Sequence, residues 1–158
     1  MAYVYPAEHY DYWHRELSGM KLPWGMFGEN FTVEGLPEDS VNIGDQLRIG
    51  SAVVMVTQPR MPCYKLGIKF GRTDIIKRFM ASGRTGFYVA VLQEGDVGTG
   101  DTIELIRRDR NNITIADITR LSMHDSDDLE LLRRAVRVEA LTEGWRDHLQ
   151  QQLETLDR

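Results

Sequence analysis

The chain has 158 residues, 42% of them hydrophobic and 27% charged, with a net charge of −5. These values suit one soluble globular domain, or one domain with a small appendage, able to bury a sizeable core. The acidic balance gives no global attraction to nucleic acid or anionic membrane, and the single cysteine excludes an intramolecular disulfide framework. No run reaches membrane-spanning length and no basic-then-apolar leader opens the sequence, so the expected location is the cytoplasm, with neither nucleic acid nor membrane as partner.

Residues 6–17 read as a helix, with Pro6 in its first turn and His9, Tyr10, Trp13 and Leu17 at helix-compatible spacings. Pro23, Gly25 and Gly28 then break regularity, and Asn30 to Val33 has strand character. Two segments resemble each other: 42–49 and 98–105 both place Gly-Asp in a turn ahead of an alternating strand. The period of two puts Leu47 with Ile49, and Ile103 with Leu105, on one face, which predicts two similar approaches to a curved sheet or small barrel. The apolar run Ala52–Val56 reads as a buried strand that Pro59 and Pro62 bring to a stop.

Residues 73–82 form a helical pattern with Thr73 as N-cap, and Phe87 to Leu92 is a well-buried strand by its β-prone composition. Beyond Asn112 the period changes from two to about 3.6. Thr114 and Asp117 fit a capping box, Ser126 fits the cap of a second helix with Leu129, Leu132 and Val136, and Thr142 that of a third with Trp145, Leu149 and Leu153. Such short helices need tertiary packing to persist. Residues 113–158 therefore read as a compact three-helix appendage.

The chemistry is expected in Thr57 to Lys65, where Cys63 stands on a stiff turn at a strand end. Arg60 and Lys65 flank it, and a nearby cation favours the thiolate, the form that attacks carbon or binds metal. The alternative is an inert buried thiol. Gly25 to Asn30 is a glycine turn exposing Glu29 and Asn30, which either orient a ligand or satisfy their own backbone. Lys65, Lys69, Arg72 and Arg84 form a second cationic group, suited to phosphate or simply to solvent. Gly83 to Gly86 lacks the ending of a Walker loop, the four histidines and one cysteine make no zinc signature, and Trp13, Trp24 and Trp145 read as packing residues.

Taken together, Phe27-Gly28-Glu29-Asn30, Ile43-Gly44-Asp45, Gln58-Pro59-Arg60-Met61-Pro62-Cys63 and Gly95-x-Val97-x-x-Gly100-Asp101 resemble the MOSC domain, the family of the C-terminal domain of molybdenum-cofactor sulfurase, in its YiiM-type branch. Each motif is weak alone; their joint order and spacing are specific. The resemblance implies a mainly β fold with helices: an antiparallel β-barrel over residues 1–110 followed by a three-helix domain over 113–158. It implies a cleft for the molybdenum–pterin cofactor, with Cys63 as metal ligand and catalytic residue, lined by Gly28, Glu29, Asn30, Gln58, Arg60 and Lys65. Reduction of N-hydroxylated bases or related N-oxygenated compounds is the implied activity, fed by an electron-donor protein or reductant. A non-catalytic cofactor carrier, a sulfur-transfer module and a remnant that binds nothing are the alternatives. Family members carry strands ahead of the Tyr-Pro segment, which here is Tyr5-Pro6, so the barrel is expected to be incomplete at its N-terminal side, leaving an edge that favours a homodimer or poor solubility.

Overall fold

The computed structural model describes residues 1–123 and 127–157. A six-stranded sheet forms the centre, built from β1 (Ala2–Pro6), β2 (Phe31–Val33), β3 (Gln46–Ile49), β4 (Ala52–Pro59), β5 (Phe87–Gln93) and β6 (Ile103–Arg107). Its order is β2-β1-β5-β4-β3-β6. Every neighbouring pair is antiparallel except β1 with β2, which run parallel. The outer strands β2 and β6 do not pair with each other, so the sheet curls as a half-barrel rather than closing. This is the mainly antiparallel fold class expected from the sequence.

Around the sheet lie α1 (His9–Glu16), α2 (Tyr64–Phe70), α3 (Ile75–Ser82), α4 (Ile115–Met123), α5 (Leu129–Ala135) and α6 (Glu143–Leu156). Alternation along β1 shows how the two faces are used. Tyr3 and Tyr5 enter an aromatic core with Tyr10 and Trp13 of α1, Phe27, and Leu66, Phe70, Ile75 and Phe79 of α2 and α3. Val4, between them, enters the other core, where Val41, Ile43, Leu47, Ile49, Val54, Val56, Phe87 and Val89 meet Ile115, Ile118 and Leu121 of α4 and Trp145, Leu149 and Leu153 of α6. The C-terminal helices thus share one apolar core with the sheet.

The two look-alike segments are neighbours. Asp45 Oδ2 accepts the Asn42 N–H at 2.9 Å, and Asp101 Oδ2 accepts the Gly98 N–H at 2.8 Å, closing the same turn. The glycine before each aspartate sits at φ of +94° (Gly44) or +89° (Gly100), a region that disfavours a side chain. The strands they launch, β3 and β6, pair antiparallel with Leu47 opposite Leu105. Leu47 and Ile49 are buried as expected, whereas Ile103 is half-buried and Leu105 is 45% exposed, because β6 is an outer strand.

Several local expectations are corrected. The first strand was not anticipated: Pro6 ends β1 rather than opening a helix, and α1 starts at His9. The strand at Ala52 ends at Pro59, as its prolines imply, with Pro59 itself the last paired residue, opposite Phe87, after a register shift between Val56 and Gln58. A pairing shift of this kind accommodates a residue without an N–H. No element was expected where α2 forms, Asp74 rather than Thr73 holds the N-cap position of α3, and β5 is buried only at Phe87 and Val89, with Val91 and Leu92 about half exposed. Trp13 and Trp145 are packed, but Trp24 is 67% exposed. Val136 is the C-cap of α5 rather than part of it. The cap expected at Ser126 lies outside the described residues; Asp128 caps α5, its side chain accepting the Leu131 N–H.

The capping box at α4 forms in both directions: Asp117 Oδ2 accepts the Thr114 N–H, and Thr114 Oγ1 accepts the Asp117 N–H, each at 3.0 Å. Thr114→Ala should therefore cost about 1 kcal/mol of stability in urea unfolding, and Thr114→Ser should recover most of it.

Candidate functional site

Two of the four motifs, Phe27 to Asn30 and Gln58 to Cys63, meet where the end of β4 gives way to α2, through the Arg60 bond to Phe27 O. Gln58 and Pro59 finish the strand, residues 60–62 cross over, and Cys63 is the N-cap residue of α2 in extended conformation. Its thiol is exposed, which removes the buried-thiol alternative. Pro59 and Pro62 keep this crossing stiff.

The other motif side chains hold the crossing in place. The Arg60 guanidinium donates from Nη1 to the Phe27 carbonyl and lies over the Tyr3 ring at 4.9 Å and the Phe79 ring at 5.6 Å. It ties the cysteine segment to the 25–28 turn and to the aromatic core. Lys69 of α2 makes a second tie, donating to Gly25 O at 2.7 Å. Gln58 Oε1 accepts the Thr142 hydroxyl at 2.5 Å, joining the strand end to the start of α6.

Glu29 is buried, with three donors on its carboxylate: Tyr10 Oη at 2.6 Å, the Phe27 N–H at 3.1 Å and Thr32 Oγ1 at 3.1 Å. Burial, followed by the bond to Glu29, raises the Tyr10 phenol well above its ordinary range. Asn30 is exposed; its Oδ1 accepts the Tyr3 N–H at 2.8 Å and its own N–H reaches Tyr3 O at 2.9 Å, which aligns β1 beside β2. Gly28 stands between Phe27 and Glu29 in the turn. Glu29→Ala should cost about 2–3 kcal/mol, because it strands a buried hydroxyl and a buried N–H, and chemical denaturation measures it.

Of the wider cationic group, Lys65 is exposed on α2 next to the thiol. The others diverge. Arg72 is paired with Asp74, and Arg84 stacks 3.7 Å over Tyr12. The structure also gathers features that motif spacing did not reveal. Met61, Tyr64 and Ile68 are 49%, 68% and 73% exposed beside Cys63, and the Lys69–Gly25 bond brings the turn carrying Trp24 to the same helix. No Asp or Glu occurs between Asp45 and Asp74, although the chain as a whole is acidic. That gap was readable in the sequence, and it leaves the stretch of chain around Cys63 without a carboxylate side chain.

A hollow of about 330 Å³ lies elsewhere, over the sheet, lined by Ala2, Phe31, Ile49, Ala52, Val54, Val91, Glu94, Gly95 and Val97. It is lined by Gly95 and Val97 of the fourth motif and by none of the side chains described around Cys63. Among the described residues no cluster of three or more His, Cys, Asp or Glu could hold a metal ion, and no helix is long and apolar enough to cross a membrane.

Comparison with known proteins agrees with this architecture. Residues 1–104 match the MOSC domain, and residues 113–156 match the YiiM-like, 3-alpha helix domain. The chain is 45% identical over 143 residues to the uncharacterized protein YflK of Bacillus subtilis, covering 90% of this chain and 64% of that one. It is 30% identical over 137 residues to a protein of Gibberella moniliformis named "Reductase", covering 85% of this chain and 24% of that one. It thus spans less than two thirds of the length of these relatives. The crystal structure of YiiM from Geobacillus stearothermophilus superposes with a TM-score of 0.90 at 38% identity, covering 96% of this chain and 77% of that one. With the half-barrel, the cysteine crossing and the three terminal helices all accounted for, the chain belongs to the MOSC domain family.

Proposed function

We propose that the chain binds the molybdenum–pterin cofactor through Cys63 and reduces N-hydroxylated bases or related N-oxygenated compounds. The observation that carries this reading is the exposed thiol at the start of α2, beside Lys65 and in a stretch without carboxylates. A thiolate is a suitable ligand for a soft or higher-valent metal. Since the described residues offer no protein-made metal cage, a metal on Cys63 needs a carrier that brings its remaining ligands, and a pterin dithiolene does so. The donor set therefore fits the group.

When bound, this group supplies the two-electron redox chemistry. The protein supplies position, charge and access. Cys63 holds the metal, while Lys65 and the unspent N–H groups of Arg60 and Asn30 meet anionic and polar parts of the cofactor. Glu29, Gly28 and Gln58 shape the cleft by fixing the turn and the crossing. Overall, the substrate N–O bond breaks, two electrons and two protons are consumed, and the oxygen leaves as water. The apolar and cationic surface around Met61, Tyr64, Lys65 and Ile68 suits docking of an acidic electron-donor protein.

Anaerobic purification from a cofactor-producing host, followed by molybdenum and pterin analysis, tests the binding; turnover of an N-hydroxylated base with a reductant tests the activity. Cofactor without turnover would leave a carrier or sulfur-transfer module, and neither would leave a binding-inert fold. The unpaired edges β2 and β6, with Val91, Leu92, Leu105 and Ile106 exposed, support pairing with a second copy. Light scattering should report a dimer, and a monomer at high concentration would exclude it.

A further inference from the structure

We infer that Thr142, at the start of α6, is a positioning residue for the Cys63 crossing. This deepens the proposed function, which makes Cys63 the reactive thiol. Thr142 occupies the N-cap position, where a hydroxyl ordinarily accepts an N–H of the first helical turn. Here its side chain makes no such bond and instead donates to Gln58 Oε1 at 2.5 Å, across 84 residues of sequence. Gln58 follows the register shift at Val56 and opens the crossing that ends at Cys63.

The link is mechanically short at both ends. Behind Thr142, Trp145 and Leu149 fix the first turns of α6 in the apolar core that also contains Val54 and Val56 of β4. Ahead of Gln58, two prolines limit how far the crossing can bend without moving the cysteine. Arg60 ties the crossing to the 25–28 turn, but it lies past Pro59 and cannot fix the Gln58 side chain. Beyond the shared apolar core, the Thr142 bond ties the start of α6 directly to the last side chain before Pro59. Freeing it leaves the sheet intact and lets residues 60–63 sample more than one path.

The test uses the full chain and two readouts that need no cofactor: hydrogen exchange of the amides in 60–66, and the rate of Cys63 alkylation by N-ethylmaleimide. Thr142→Val, and independently Gln58→Met from the other side of the bond, should raise exchange in this segment up to about tenfold and change the alkylation rate severalfold. Thr142→Ser, which keeps the hydroxyl, should restore wild-type values for both. Leu153→Ala, which weakens the far end of the same helix, should lower overall stability and leave both readouts as in the wild type. Unchanged exchange and alkylation in Thr142→Val and Gln58→Met would overturn the inference, as would a Leu153→Ala variant that reproduces their effect. A wild-type chain that retains no molybdenum while Thr142→Val loosens the crossing would defeat the proposed function alone. The reverse pattern would defeat the positioning role alone.

Discussion

Cys63→Ser is expected to abolish molybdenum retention while shifting stability by no more than about 0.5 kcal/mol, the range usual for exposed positions. The two halves of this expectation have separate origins. The side chain is exposed, so removing the sulfur opens no cavity and breaks no core contact. Cys63 also makes no N-cap side-chain bond to α2, so the helix start does not depend on it. Metal binding, by contrast, depends on the thiolate, because a serine hydroxyl is a far weaker acid and a harder donor. Elemental analysis and urea unfolding of the same preparations make the comparison. Unchanged molybdenum content would refute the ligand assignment. Loss of several kcal/mol with metal retained would mean the thiol serves the fold.

The sequence made some of this architecture readable and concealed the rest for identifiable reasons. Residues 98–105 and 42–49 could be matched because a Gly-Asp turn followed by alternation is a local pattern, and both turns close as read. The Thr114 capping box is equally local. What escaped was non-local. Tyr3-Val4-Tyr5 is β-prone, but its pairing with Phe87–Val89 on one side and Phe31–Val33 on the other depends on contacts far along the chain. α2 hid behind a proline-rich approach and carries Gly67, a weak helix former, in its middle. It is held instead by Leu66 and Phe70 in the aromatic core.

The candidate site shows the same division. Residue types singled out Cys63, Lys65, Arg60 and Glu29, but not what each of them packs against. Glu29 and Arg60 read as ligand-facing groups because acid and guanidinium are chemically versatile. The fold gives the first three hydrogen-bond donors and seats the second over two rings. The missed signal was compositional, in the absence of acids between Asp45 and Asp74. Long-range charge patterning of this kind marks a surface without needing a motif.

Gly86→Ala should be the most damaging single substitution considered, with an expected loss on the order of 4 kcal/mol or more in chemical denaturation. The glycine-bracketed stretch 83–86 lacks the ending of a Walker loop, and its packing gives Gly86 a structural purpose. Gly86 is buried at φ +64°, where a side chain is strained, and a Cβ there would meet Val4 O at 2.5 Å, Tyr5 Cδ1 at 2.7 Å and Tyr3 Cε1 at 2.9 Å. None of these can yield cheaply. Val4 O is strand backbone beside β5, and both tyrosines lie within the aromatic core, where Tyr3 Oη donates to Thr85 O at 2.5 Å and Tyr5 Oη to Arg84 O at 3.0 Å. The Gly86 N–H is itself committed to Glu38 Oε2 at 2.9 Å, and that carboxylate also holds His9 Nε2 at 2.7 Å. A methyl group at residue 86 therefore pushes at once on the β1–β5 pairing, the tyrosine pair and the tie to α1. Gly83→Ala, at φ +67° but with no atom within 4 Å of its Cβ position, carries the backbone strain without the collision and should cost only about 1 kcal/mol. Equal losses at the two positions would show that backbone strain, and not the close approach of β1, accounts for the glycine at 86.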